Sequence, residues 1–193
     1  SGAITQTGAI DADLASSFTA GANAITLSNA SNDFSGAVSL SNSGTNDVSL
    51  TDVNALDLGT VSVGQNLTVT TGGALTDSGA ITVGSLATLV STGQSVTLGD
   101  STTANFGSLD FAGAAVSIKE GSSMEIAASE ATGVLTLEAS GAITQTGAID
   151  ADLASSFTAG ANAITLSNAS NDFSGAVSLS NSCLLYTSPS PRD

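Results

Sequence analysis

The sequence predicts an all-β fold: a right-handed parallel β-helix, a solenoid of about eight coils of 19–29 residues each. The first observation behind this is a tetrapeptide of alternating polarity. Ala24–Leu27 returns at Asp47–Leu50, Asn66–Val69, Ser95–Leu98, Ala115–Ile118, Val134–Leu137 and Ala163–Leu166. Its second and fourth positions are always aliphatic, from Ile25 and Leu27 to Ile164 and Leu166, and its third is always Ser or Thr. A period of two buries one face of a strand and leaves the other in water. The second observation is the spacing, which falls in the range of one solenoid coil. The third is composition: 41% hydrophobic residues and 21 Gly, but only 4% aromatic and no Trp. Such a chain cannot fill a large globular core, yet it is too apolar to stay unfolded, so thin repeated layers suit it.

A longer period lies above the short one. Ser1–Ser43 reappears residue for residue as Ser140–Ser182, an offset of 139. The tetrapeptide spacings of 23, 19, 29, 20, 19 and 29 fill that offset without remainder, so six short units are expected in each long one. At about 4.8 Å per coil, six coils would add about 29 Å. Residues 1–182 read as one solenoid domain in which a second long repeat begins at residue 140.

Within a unit, Gly36, Gly59 and Gly107 each precede a second alternating tetrapeptide, Ala37–Leu40, Thr60–Val63 and Ser108–Phe111. Each coil therefore has at least two strands, and the glycine is expected to supply a corner φ that a Cβ would forbid. Asn, Asp and Ser crowd the joints, as in Asn29–Asp33, where short polar side chains satisfy turn backbone. The two longest units carry extra segments, Ala74–Ile81 and Ala142–Ile149, read as a slightly larger coil rather than a protruding hairpin. From Cys183 the pattern stops, and residues 183–193 resemble a translated sequencing adapter, so they are set apart as a non-native tail.

Charge excludes several classes of function. Seventeen Asp and Glu face only Lys119 and Arg192, a net charge of −15. A phosphate-tracking patch cannot be built, which rules out nucleic acid as a partner, and an anionic membrane surface would repel the chain. No run of 18 apolar residues suggests a membrane span, and the opening residues, already part of a repeat, lack a signal peptide, as expected of an internal stretch. Cys183 alone supports neither a disulfide scaffold nor a cysteine zinc site.

Few residues offer chemistry. Asp11 and Asp13, repeated as Asp150 and Asp152, would lie on one face of an extended segment, able to share a proton or hold calcium. The simpler reading is a solvated strand end, and copies six coils apart could not share a site. Lys119, Glu120, Glu125, Glu130 and Glu138 form the one charge-rich patch, read as a solvated outer face rather than a catalytic groove. The Ser/Thr column, Thr26, Ser49, Thr68, Thr97, Ser117, Thr136 and Thr165, lacks the second hydroxyl column that a water-ordering face needs. Asn29-Ala30-Ser31 and Asn66-Leu67-Thr68 fit the glycosylation pattern weakly. No catalytic, cofactor-binding or metal-ligating residue is assigned, and no cofactor is expected.

Gly2–Ile10, Ala24–Asn42 and Asn66–Leu75 resemble the repeats of filamentous-haemagglutinin-like bacterial exoproteins, and the likeness extends over residues 1–182. The resemblance implies a parallel β-helix stalk of an adhesin or contact-dependent toxin, exported by two-partner secretion or as an autotransporter, and located outside the cell or on its surface. It implies neighbouring repeats of the same fibre as partners, and surface glycans or proteins through domains lying elsewhere. It carries over no catalytic residue, so the chain is expected not to be an enzyme. The competing expectation is a β-helix enzyme acting on polysaccharides, against which stand the absence of His and of an aromatic sugar platform. Open strand edges at both end coils are expected to promote end-to-end association.

Overall fold

A computed structural model describes residues 2–100 and 102–182, and every regular element among them is a β-strand. The expectations for residues 183–193 lie outside the described residues. Every strand pair is parallel and joins neighbouring coils, forming a β-solenoid of about nine turns.

The coils stack through two main columns. The first runs in register through Ile4, Ile25, Val48, Leu67, Ala87, Leu109, Ile126 and Gln145. The second runs from Ser16 through Val38 to Leu56–Val63, then through Leu75, Val96, Val116, Leu135, Ser155 and Val177. The inward aliphatic residues of the tetrapeptides are buried to 1% exposure or less from Ile25 to Leu137, as their alternation requires.

The seven tetrapeptides do not form one column. Leu67 pairs with Ala87, and Val96 takes its place further along the chain in the second column, between Leu75 and Val116. The longest tetrapeptide spacing is thus one ordinary coil plus about half of another. The extra segments are neither a larger coil nor a hairpin, because Leu75–Asp77 and Ile143–Gln145 are ordinary in-register strands. Counting along the first column, Ile4 reaches the strand Ile143–Gln145, which opens on its own copy Ile143, in seven steps rather than six. One long repeat therefore rises about 34 Å, against the about 29 Å expected from six coils.

Half of that repeat is itself a unit. Val48 and Leu67 recur as Val116 and Leu135, and Ile25 recurs as Val96, in each case on the other column. The unit spans three and a half coils and repeats by a half-turn screw. The full repeat restores the local geometry: Phe18 meets Phe34 edge to face at 6.0 Å, and Phe157 meets Phe173 at 6.0 Å.

Glycine at the joints serves close approach rather than φ. Gly36, Gly59 and Gly107 are not among the residues of positive φ, but a Cβ at Gly36 would overlap the Leu14 backbone, one at Gly59 Ser39 Oγ, and one at Gly107 the carbonyl of Gly84. Strands about 4.8 Å apart leave no room for it where a corner tilts the chain toward its neighbour.

Candidate functional site

Asp11 and Asp13 flank the half-buried Ala12 and both point outward, as period two demands. Stacking adds what the sequence left hidden. Asp11 sits in register with Asp33, and Asp150 lies between Glu130 and Asp172, so like charges line up on successive coils. Asp110, Glu130 and Asp150, from three consecutive coils, line an open cleft of about 320 Å³ with Phe111, Ala112, Ala128, Ser129 and Ala148. Partial burial raises the Asp110 carboxyl above its ordinary range. The cleft offers carboxylates to a polar ligand, but among the described residues no group of three or more acids, Cys or His is arranged to hold a metal ion.

The charge-rich stretch 119–138 does not form one outer patch. Lys119 Nζ pairs with Glu138 Oε1 at 3.0 Å across adjacent coils, both half exposed. Glu125 is exposed opposite Thr144, and Glu130 belongs to the acidic cleft. Glu120 is turned into the core, with 1% of its surface exposed. It is the fifth residue of a strand whose first, third and fifth positions face inward, and the apolar run before it commits that register.

Asp52 holds the same place in Val48–Asp52, at 2% exposure. Its Oδ1 accepts the Phe34 amide at 2.9 Å, as Glu120 Oε1 accepts that of Phe106 at 2.9 Å and the Ser122 hydroxyl at 3.0 Å. Asp52 Oδ2 and Glu120 Oε2 are buried without a hydrogen-bond partner among the described residues. Desolvation therefore outweighs the bonds and pushes the Glu120 carboxyl up to about 7; burial, with Asp33 nearby, raises that of Asp52. The sequence signal was the alignment of Val48–Asp52 with Val116–Glu120, in which an acid follows two inward aliphatics.

The hydroxyl residues also rearrange. Thr5, Thr26, Ser49, Thr68 and Thr88 form one ladder, and Thr76, Thr97, Ser117, Thr136, Ser156 and Ser178 another. A second column does accompany the first ladder, at Thr51 and Thr70, but it passes to Val90 after two coils. Both sequon asparagines are hydrogen-bonded: Asn29 Oδ1 accepts the Ser31 amide within its turn, and Asn66 Nδ2 donates to Asp47 on the adjacent coil.

Sequence reasoning missed a buried amide network. Asn32 is fully buried; its Oδ1 accepts the Ile10 amide and Gln6 Nε2, while its Nδ2 donates toward Gln6, Leu27 and Thr51. Gln145 and Asn171 rebuild it in the second copy. An Asn and a Gln recurring together between inward strands were its only trace.

No curated protein and no solved structure matches this chain. A repeat family does, over residues 1–41, 45–111 and 113–180. The starts of the two longer stretches are as far apart as Val48 and Val116, one three-and-a-half-coil unit. With most of its length matched in units that the solenoid stacks in register, the chain belongs to the family described as repeats of unknown function, DUF5649.

Proposed function

We propose that the chain is a stalk segment of a large secreted or surface-exposed bacterial adhesin-like fibre, holding a distal binding or effector domain away from the cell, with no catalysis of its own. The observation that carries the reading is that the long repeat closes on a whole number of coils. Residues 140–182 stack in register on the coil before them as about two further turns, so the second long repeat continues the first and length grows in proportion to repeat number. The resemblance to filamentous-haemagglutinin-like repeats supports an extracellular location, with neighbouring repeats as partners and surface glycans or proteins met by domains elsewhere.

The test is to express arrays of one, two and four long repeats and measure their contour by electron microscopy. Each added repeat should lengthen the rod by about 34 Å. Compact particles whose length does not follow repeat number would overturn the proposal. The Asp110–Glu130–Asp150 cleft favours the second reading, a polysaccharide-cleaving β-helix. Specific cleavage that is lost in Asp150→Asn would put that reading in place of the stalk.

A further inference from the structure

We infer that Asp52 and Glu120 are proton-operated joints, one in each half of the repeat, that tighten the solenoid in mildly acidic surroundings and loosen it at neutral and alkaline pH. The same arrangement is built twice, once in each three-and-a-half-coil unit. An acid ends a five-residue strand, one carboxylate oxygen takes the amide of a phenylalanine in a neighbouring segment, and the other oxygen is buried without a partner among the described residues. Equivalent inward strand ends elsewhere carry neutral groups, Thr71 and Ser91, whose hydroxyls both donate to the Gly73 carbonyl. An acid is therefore not required to end such a strand.

The cation beside Glu120 in the chain, Lys119, lies on the outward face of the strand and is engaged by Glu138, so it does not compensate the inward carboxyl. Glu120 lies in register between Ala104 and Ala139, whose methyl groups leave space for a carboxyl but offer no charge. Of the strands packed on it, Val96–Leu98 carries no charged residue, Ala104–Gly113 carries only Asp110, and Leu135–Ala139 carries only Glu138. Glu138 is half exposed and engages Lys119. Around Asp52, the strands Ile25–Leu27 and Leu67–Thr71 are uncharged, and Asp33 repels a second negative charge.

A buried carboxylate in this setting favours its neutral form. With the folded-state pKa raised, stability is full below the ordinary carboxylate pKa of 4.5 and is lost as pH rises through about 7 for Glu120. The direction is the reverse of common acid denaturation, in which paired carboxylates lose their partners.

The experiment follows amide hydrogen exchange at Phe34 and Phe106 in the whole chain between about pH 5 and pH 8, corrected for intrinsic rates and repeated at high salt to screen the net charge. Protection at both amides should fall as pH rises, on the order of a hundredfold at Phe106. Glu120→Gln, which keeps the accepting oxygen and removes the charge, should abolish the response at Phe106 and leave that at Phe34; Asp52→Asn should do the converse. A Phe106 response that persists in Glu120→Gln would overturn the inference. Should either variant fail to fold, carbon-detected titration of Glu120 in the unmodified chain decides: a midpoint near 7 supports the joint, and one in the ordinary carboxylate range sinks it.

Discussion

Val96 lies in register between Leu75 on one side and Val116 on the other, with none of its surface exposed, although all three come from different segments of the repeat. An aspartate there would bury an unpaired charge among aliphatic groups. Val96→Asp should destabilise by about 3 kcal/mol or more. Thr97→Asp, one residue away on the half-buried outward face, should lose about 1 kcal/mol or less. Denaturant midpoints that fall equally in both variants would contradict the assigned faces.

Two glycines separate backbone conformation from crowding. Gly93 and Gly99 both have positive φ, 74° and 80°, but a Cβ at Gly93 would meet nothing within 4 Å, whereas one at Gly99 would overlap the Lys119 carbonyl of the next coil. Gly93→Ala should cost about 1–2 kcal/mol from φ alone. Gly99→Ala should cost clearly more, because backbone rather than a flexible side chain must yield. Thermal melts of the two variants that coincide would show the close approach to be unimportant.

The Asn32 amide is the hub of its corner. Asn32→Ala strips partners from the Ile10 amide and the Leu27 and Thr51 carbonyls, and should cost about 2 kcal/mol. Asn171→Ala should cost less, since Asn171 keeps the bonds to Gln145 and Ile149 but has no counterpart of the Thr51 bond among the described residues. Comparable losses, read by chemical denaturation, would mean that the carbonyl bonds add little.

Lys119 and Glu138 form a half-exposed pair and should matter little despite their 3.0 Å separation. Lys119→Met should change stability by less than about 1 kcal/mol, and salt should reduce the difference further. A larger, salt-insensitive loss would show that the lysine stem packs against the coil.

Alternation made the strands and their buried faces legible, because inward Ile25, Leu50 or Leu137 needs no knowledge of its neighbour to be placed. Stacking was not legible from that pattern. Leu67 meets Ala87 and not Val96 because the chain completes a coil at a nearly constant interval, whatever motif it carries at that point. Ala87 and Leu109 lie outside the seven tetrapeptides but fit the column, so a count of those motifs undercounts coils. The same error hid the acidic cleft, since Asp110, Glu130 and Asp150 converge only when coils are laid in register. Glu120 was misplaced for another reason: a charged residue suggests a wet face, while strand period, set by Val116 and Ile118, turns it inward.

The half-turn screw gives parity a structural meaning. Adding or deleting one three-and-a-half-coil unit by recombination would lengthen or shorten the rod by about 17 Å and also swing everything beyond it to the opposite side of the axis. Adding or deleting two units would change reach alone. Arrays that differ by an even number of units would present whatever follows them on the same side, and those that differ by an odd number on the opposite side, so a change in the number of units is a rotation as well as a ruler.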